Sequence, residues 1–236
     1  MTLDAYAEAV GSLSSQPDSV TDVAHSFTRL FPVSGASVST LGDFLGNETL
    51  SASSAFAARL DELQFDLGEG PCWDALSTKR PVLEPDLRGL PDGRWPAFSA
   101  AVHSDVGAIF AFPMTVGQLR IGAVDLYAES ATEFEPRDAQ RAAQLAGMVG
   151  RAILSIAVAG TGEDPAAAID TRYSRRAIHQ ATGMVLAQLD ISAEEASLVI
   201  RGHAFATDTS MMTVADDILT GRLTFGTGAD GIEETR

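Results

Sequence analysis

Four basic side chains lie close together in the last third of the sequence, where they could bind phosphate groups. Arg172, Arg175, Arg176 and His179 occupy little more than two helical turns. Clustered arginines are the usual means of contacting a nucleic-acid backbone. They are also common on a solvated helix face that binds nothing. The residue types and their spacing leave both interpretations open.

The charge of the whole chain argues against a broad surface for nucleic acid. The sequence has 16 Lys and Arg residues against 32 Asp and Glu residues, which gives a net charge of −16 at pH 7. Between residues 170 and 222 the net charge is smaller, because five arginines and seven acidic residues give −2. Most of these acids are separated from the arginines in sequence, so a local basic patch remains available.

Five aromatic side chains in the first half of the sequence could line a pocket for a small molecule. They are Trp73, Trp95, Phe98, Phe110 and Phe112. Aromatic residues with this spacing also form hydrophobic cores, and that alternative stays open. Cys72 is the only cysteine, so an intrachain disulfide and a cysteine-based zinc cluster are both excluded. We expect this cysteine to be a buried structural residue.

The residue types needed for catalysis do not occur together in a recognisable order. The sequence contains no Ser-His-Asp arrangement, no glycine-rich phosphate loop and no cluster with metal-ligand spacing. Asp125 and Glu129 do not form a defensible catalytic pair. We therefore predict a protein that is not an enzyme, with no catalytic residues, no cofactor and no metal ion.

Three short helices are predicted to position the basic cluster. The first has an apolar stripe at intervals of three and four residues, which places its members on one face. They are Ile178, Ala181, Val185 and Leu189. Ser192 and Glu195 have the spacing of a capping box, which marks the start of a second helix. A third helix is predicted at residues 212–219 and stops at Gly221.

This helical segment resembles the ANTAR module, a small three-helix domain that binds RNA and controls transcription termination in bacterial regulators. The resemblance is a spacing pattern that runs in register over most of residues 176–225. It comprises Ile178, Ala181, Gly183, Ala187, the capping box, Ile200-Arg201, Val214-Ala215 and Ile218-Leu219. Many members carry Lys immediately before the glycine. Here that position is Thr182, so a charge that could meet phosphate is missing.

The resemblance implies an RNA-binding surface, with hairpin loops of nascent transcripts as the partner. We assign to it Arg175, Arg176, His179, Gln180, Thr182, Gly183 and Arg201. In such recognition unpaired bases are contacted by side chains and phosphates by arginine. Gly183 would allow close approach of RNA, or equally of another helix.

The first two thirds of the sequence contain short alternating runs that are typical of strands. Residues 108–116 and 119–127 are separated by Gly117-Gln118, which predicts a β-hairpin. Helical patterns flank these strands, so the predicted fold class is α+β with an antiparallel sheet.

Several segments of this part resemble, in their order along the chain, the GAF family of sensory domains. They are FDLGEGPCWDAL, EPDLRGLPDGRWPAF, GAIFAFPM and IGAVDLYAE, followed by a closing helix. A GAF fold implies a central antiparallel sheet with helices behind it and a small-molecule pocket in front. The asparagine-lysine motif of cyclic-nucleotide-binding relatives is absent, which argues against a cyclic nucleotide as the ligand.

The helix that follows Pro136 carries a narrow apolar seam. Its members are Ala142, Leu145, Val149, Ile153 and Ile156. Such a seam favours a homodimer formed through paired helices. The same residues would also suit a helix packed on its own sheet.

We predict five segments from these patterns. They are a helical or flexible segment at 1–19, a GAF-like domain at 20–158, a linker at 159–165, an ANTAR-like domain at 166–225 and a disordered tail at 226–236. The tail is assigned from its glycine and acid content. No apolar run approaches the length of about 20 residues that a bilayer requires, and the N-terminus lacks a signal pattern. A cytoplasmic protein without a membrane partner is expected.

The interpretation favoured by the sequence is a dimeric, signal-responsive regulator that binds hairpin RNA and promotes transcription antitermination. A small molecule or a partner would bind the GAF-like domain. The alternative is a protein-interaction module whose helical tail dimerises and does not bind RNA, which the acidic composition favours. Ordinary DNA binding is a further possibility.

Overall fold

The computed structural model describes residues 22–41, 45–90, 93–102, 105–159, 175–207, 209–228 and 231–235, together with Tyr6 and Gly11. The chain divides into two compact units, Met1–Ser174 and Arg175–Arg236.

A five-stranded antiparallel sheet forms the centre of the first unit. Its strands are β1 (Gly35–Thr40), β2 (Glu48–Ala52), β3 (Val82–Glu84), β4 (Ala108–Val116) and β5 (Leu119–Ala128). Their order in the sheet is β2-β1-β5-β4-β3. β4 and β5 are joined by a tight turn at Gly117, whose φ of 61° is one that glycine adopts without strain. The predicted hairpin and the α+β class are confirmed.

Helices pack around this sheet. Those in the described part of the first unit are α1 (Val23–Leu30), α2 (Ala55–Leu67), α3 (Pro71–Thr78), a 3₁₀ turn (Leu87–Gly89), α4 (Pro96–Ala101) and α5 (Pro136–Ala159). α2 begins where the hydroxyl of Ser54 accepts a hydrogen bond from the N–H of Ala57, and it ends at Gly68. α3 begins at Pro71, whose fixed φ suits the first position of a helix.

The two faces of the sheet are covered by different helices. α1 and α5 pack on one face, and α2 and α3 pack on the other. Successive residues of a strand point to opposite faces, so Phe110 and Phe112 enter the core beneath α5 while Ala111 joins the core on the other side. The face beneath α2 and α3 also carries Ile109 and Tyr127, so both cores contain large side chains.

α5 packs on its own sheet. The core against the sheet contains four of the five residues of the predicted seam, which are Ala142, Leu145, Val149 and Ile153. A Cβ added at Gly150 would lie 3.0 Å from Cβ of Met114, so α5 and β4 approach closely here. The prediction that this seam pairs two chains is wrong for these four residues, because the apolar stripe is used to cover the sheet.

α5 is long and apolar enough, by length and composition, to cross a membrane. The sequence interpretation missed this because glycines, polar residues and single charges interrupt its apolar run. The core helix of a globular domain passes the same test, and the buried face of α5 accounts for its hydropathy.

Three helices build the second unit. They are α6 (Arg176–Leu189), α7 (Ala193–Ala206) and α8 (Met211–Leu219). Their shared core contains the stripe predicted for the first helix. The predicted capping box is present, because Ser192 Oγ accepts from the N–H of Glu195 while the Glu195 carboxylate accepts from the N–H of Ser192 at 2.8 Å. The three predicted helices are confirmed.

A β-hairpin follows these helices. β6 (Thr224–Gly228) pairs with β7 (Gly231–Thr235) where the sequence predicts a disordered tail at 226–236. Phe225 is buried among the helices, and its N–H donates to Oε1 of Gln188 at 3.0 Å. Composition pointed to disorder because it does not register strand pairing or this anchor. The predicted segment 1–19, the linker 159–165 and the predicted domain start at 166 lie outside the described residues, apart from Tyr6, Gly11 and Ala159.

Candidate functional site

The exposed face of α6 brings together four of the residues assigned to RNA. Arg176, His179, Gln180 and Gly183, here called the α6 face, are all exposed. Their intervals of three and four residues place them on one side of the helix. A Cβ added at Gly183 would meet no atom within 4 Å, so the space before this glycine is open. The face offers a cation from Arg176 and hydrogen-bonding groups from the ring of His179 and the amide of Gln180. The open space at Gly183 leaves room for a ligand to approach the helix closely.

Thr182 lies beside this face and is half-buried. Its hydroxyl donates to the carbonyl of Ile178, one turn earlier, over 2.8 Å. The hydroxyl is therefore engaged by the backbone of its own helix, which limits what it can offer a ligand.

Arg175 is not on the surface. Its side chain is 7% exposed, and its Nη2 lies 3.8 Å from Sδ of Met211 on α8. The carbonyl of Arg175 accepts from the N–H groups of Ile178 and His179, so the residue forms the start of α6. The sequence assigned Arg175 to the RNA surface, whereas the structure gives it a position in the core of the unit. Arg172, from the same basic cluster, lies outside the described residues.

Arg201 lies on α7 and is half-buried. Its Nε is buried, and within the described part of the chain this atom has no hydrogen-bond partner. Arg201 thus belongs to a different helix from the α6 face.

The acids nearest the end of α8 are engaged by an arginine. Arg222 contacts Asp216 at 2.6 Å and Asp217 at 2.7 Å. Glu195 is held in the capping box, where hydrogen bonds from Ser192 lower the pKa of its carboxyl. These contacts engage three of the carboxylates of this unit.

The five aromatic residues proposed to line a pocket do not converge. Phe110 and Phe112 pack around Phe134 beneath α5, whereas Trp95 and Phe98 pack against each other on the opposite side of the sheet. Trp73 joins a third cluster, and its indole N–H donates to the carbonyl of Gln64 at 2.8 Å. Phe110, Phe112, Trp95 and Phe98 are all buried in hydrophobic cores, which agrees with the alternative assignment, and Trp73 is half-buried.

Polar side chains are buried between the sheet and α2. Asp61 accepts hydrogen bonds from Ser39 Oγ at 3.3 Å and from Thr49 Oγ1 at 2.6 Å. Gln64 donates from Nε2 to Oδ2 of Asp125 at 2.5 Å. The sequence analysis named Asp125 only to reject it as a catalytic residue, and it did not single out Asp61 or Gln64. The signal it lacked was the packing of α2 on the sheet, which brings Asp61 and Gln64 to the face that carries Asp125.

Burial determines the protonation of this cluster. Desolvation raises the pKa of Asp125 well above its ordinary value, the nearby charge of Asp61 raises it further, and the hydrogen bond from Gln64 lowers it. Desolvation also raises the pKa of Cys72, followed by the charges of Asp125 and Asp61. The thiol stays protonated, in agreement with a buried structural cysteine.

Comparison with known families identifies both units. A model of the GAF domain family matches residues 18–154, which is more than half of the chain. The chain belongs to the GAF domain family. A model of the ANTAR domain matches residues 170–219. A GAF domain followed by an ANTAR domain is typical of ANTAR antitermination regulators, which are typically non-enzymatic. The ANTAR domain implies RNA-binding antitermination, and the GAF domain implies sensing.

Two solved structures share the GAF fold. The GAF domain from Acinetobacter phosphoenolpyruvate-protein phosphotransferase has a TM-score of 0.53 at 12% identity, covering 69% of this chain and 100% of that chain. The GAF domain of a phosphoenolpyruvate-protein phosphotransferase from Coxiella burnetii has a TM-score of 0.52 at 13% identity, covering 67% of this chain and 96% of that chain. At such identities the likeness shows the fold alone. None of the curated proteins compared with the chain matches it.

The ANTAR domain also exposes apolar residues that the sequence analysis did not single out. Leu198 is 56% exposed and Phe205 is 73% exposed. They are seven residues apart on α7, so they share one face, here called the α7 patch. The sequence could have indicated their exposure, because both residues fall outside the buried stripe formed by Ala196, Ile200 and Ala204.

Proposed function

We propose that the ANTAR domain binds hairpin RNA through the α6 face and that this binding promotes transcription antitermination. The observation that carries the proposal is the placement of Arg176, His179 and Gln180 on one exposed face around the open position at Gly183. The protein acts as a regulator and not as an enzyme. Because its RNA is a nascent transcript, the proposed location is the cytoplasm.

The chemistry of the α6 face suits an RNA loop. Arg176 supplies a guanidinium for phosphate, while Gln180 and His179 offer hydrogen bonds to the edges of unpaired bases. The absence of a side chain at Gly183 allows a phosphate or sugar to approach the helix backbone. Thr182 lies beside this face, and Arg175 supports it from within the domain by holding the start of α6 against α8. Arg201, on α7, is proposed as a further RNA contact.

The GAF domain is proposed to sense a small molecule and to control the ANTAR domain within a homodimer. Ligand can shift the equilibrium between two arrangements of the protein only by its differential affinity for them. Binding of RNA and of ligand must then be coupled reciprocally. The residues that pair the two chains would lie outside the seam that α5 uses for its own sheet.

A titration with RNA tests this function. The purified chain is titrated with a tandem-hairpin RNA, a scrambled RNA and duplex DNA at two salt concentrations. Arg176→Gln is compared with Arg222→Gln, which removes the same charge elsewhere in the second unit. We expect selective hairpin binding, weakened by Arg176→Gln, with a salt slope lower by about 1 if one phosphate contact is lost. Equal binding by both variants would contradict the assignment to the α6 face.

A protein-interaction role is the second candidate, and the α7 patch favours it. Large apolar side chains at 56% and 73% exposure are characteristic of protein-binding surfaces when they lie together. In the same titration, absence of RNA binding by the wild-type chain would favour this role. Preference for duplex DNA would favour ordinary DNA binding.

A further inference from the structure

Phe205, in the α7 patch, is the most exposed large apolar side chain in the described part of the chain. Its ring takes part in none of the ring contacts of the described residues. Phe225, the other phenylalanine described in this unit, is buried and packs edge-on against His203. The core of α7 is formed by a different stripe of the helix. The Phe205 ring therefore contributes little to the stability of its own domain.

Arg201 neighbours this ring on the surface of α7. It precedes Phe205 by four residues and follows Leu198 by three, which are the intervals at which side chains of a helix lie next to each other. Side chains of a helix lean toward its N-terminus, so the Phe205 ring leans toward the turn that contains Arg201. A ring, a guanidinium group and an aliphatic side chain thus share one stretch of surface.

The guanidinium group of Arg201 has no counter-charge in the described part of the chain. Its Nε is buried and lacks a hydrogen-bond partner there, whereas the other two nitrogens are not buried in this way. Arg201 also takes part in none of the ion pairs of the described residues. An arginine whose donors are not used by the protein can bind a phosphate oxygen.

The acidic side chains of α7 are confined to its first turn. They are Glu194 and Glu195, and Glu195 is held in the capping box. Phe205 follows Glu194 by eleven residues, which is about 16 Å along a helix that rises 1.5 Å per residue. Within α7, Arg201 is therefore the charged side chain nearest to the exposed ring, and its charge is positive.

We propose that Phe205 is a stacking site for an unpaired base of the RNA hairpin and that Arg201 binds a phosphate next to this base. The inference rests on the proposed RNA-binding function, and it extends the RNA surface from α6 to α7. Both residues lie within the range that matches the ANTAR domain, and α6 and α7 pack against each other. Leu198 adds an apolar contact for the sugar or for the edge of the base.

The chemistry of an unpaired nucleotide matches this surface. Bases that are splayed out of a loop stack on aromatic side chains, and every base offers a flat face for such a contact. The phosphate of the same nucleotide supplies the negative charge that Arg201 lacks. A purely apolar protein surface would instead cover the guanidinium group without a counter-charge, which costs free energy. Charge complementarity therefore favours RNA over such a protein partner.

Substitutions of Phe205 distinguish a base from a protein partner, which is the occupant in the second candidate function. A protein partner would contact this side chain by burying apolar surface, and leucine preserves most of that surface. A base needs the flat ring, which leucine lacks and tryptophan provides. Phe205→Leu and Phe205→Trp therefore form a matched pair. Because Phe205 is 73% exposed, both variants should fold, and circular dichroism verifies this.

Hairpin RNAs with single abasic sites test the proposal on the full chain. Each loop nucleotide in turn is replaced by an abasic site, which removes the base and keeps the phosphate. The wild-type chain, Phe205→Leu and Phe205→Trp are titrated with the intact hairpin and with each abasic hairpin. Arg201→Gln and Arg222→Gln are titrated with the intact hairpin at two salt concentrations, and analytical ultracentrifugation measures the self-association of each protein.

We expect Phe205→Leu to bind the intact hairpin about tenfold more weakly, which is the size of one stack between a base and a ring, and Phe205→Trp to bind it as the wild type does. One abasic site should weaken wild-type binding by a similar factor. It should have little further effect on Phe205→Leu, because the same stack is already lost. Arg201→Gln should lower the salt slope by about 1, whereas Arg222→Gln should leave it unchanged.

Equal affinities of the wild-type chain and Phe205→Leu for the intact hairpin would overturn the proposal. So would a defect of Phe205→Leu that is the same at every abasic site. Unchanged RNA affinity of Phe205→Leu together with altered self-association would assign the α7 patch to a protein contact. Hairpin binding that Arg176→Gln weakens and Phe205→Leu does not refutes only the stacking site, whereas absence of hairpin binding by the wild-type chain refutes the RNA-binding function as well.

Discussion

Gln64 donates a hydrogen bond from Nε2 to Oδ2 of Asp125 over 2.5 Å in the interior of the GAF domain. This bond favours the ionised form of Asp125, but desolvation and Asp61 outweigh it and raise the pKa of the carboxyl. A group whose pKa is higher in the folded state than in the unfolded state stabilises the fold at low pH. Its contribution is lost as pH rises through the folded-state value.

Asp125→Asn should therefore flatten part of the pH dependence of stability. The free energy of unfolding of the wild-type GAF domain is expected to fall, relative to that of Asp125→Asn, as pH rises from about 5 to about 8. Urea unfolding followed by tryptophan fluorescence measures it, with Glu129→Gln as the control. A difference between wild type and Asp125→Asn that stays constant across this range would contradict the raised pKa.

Substitutions of the two neighbouring arginines at the start of α6 should have different effects, one on stability and the other on RNA binding. Arg175→Gln removes a buried side chain that contacts Met211, and it is expected to lower the free energy of unfolding by about 2 kcal/mol. Arg176→Gln changes an exposed residue and should change stability by less than about 0.5 kcal/mol, while weakening RNA binding. Circular dichroism and RNA titration distinguish the two. A stable Arg175→Gln protein with impaired RNA binding would reverse these assignments.

Two exposed glycines provide a matched test of whether RNA approaches the backbone of α6 closely. An added Cβ meets no atom within 4 Å at either Gly183 or Gly202, and both glycines lie within helices. Replacement by alanine should stabilise each helix by about 0.5 to 1 kcal/mol. Only Gly183→Ala should also weaken hairpin binding, because it fills the open position of the α6 face. Equal RNA affinities of the two variants would exclude close approach at Gly183.

The capping box of α7 should contribute measurably to the stability of the ANTAR domain. Ser192→Ala removes the acceptor for the N–H of Glu195 and is expected to cost about 1 kcal/mol. Ser197→Ala, within the same helix, is the control and should cost nothing or stabilise slightly. Thermal denaturation followed by circular dichroism gives the comparison. Equal midpoints would mean that the cap does not support the helix in solution.

The sequence predicted the elements that depend on local spacing. The hairpin around Gly117 and the stripe from Ile178 to Leu189 follow from periods of two and about 3.6 residues. Arg175 and Arg176 could not be distinguished in this way, because the first is the N-cap residue of α6 and packs on α8 while the second begins the exposed face. Contacts between distant helices decide that difference.

The interior of the GAF domain was less accessible to sequence reasoning. Phe110 and Phe112 share a face because they are two residues apart, but the sequence does not specify which helix covers that face. Asp125 resembles any other strand residue until the register places Ser37 opposite it and α2 above it. A buried polar cluster of this kind arises from several separate segments, and no single segment carries its signature.

Transcription through a terminator preceded by tandem hairpins tests the central claim most directly. A single-round reaction is carried out with the wild-type chain, with Arg176→Gln and with Arg222→Gln. We predict increased readthrough with the wild-type chain and with Arg222→Gln, and little increase with Arg176→Gln. Unchanged readthrough with the wild-type chain, or equal readthrough with both variants, would contradict antitermination through the α6 face.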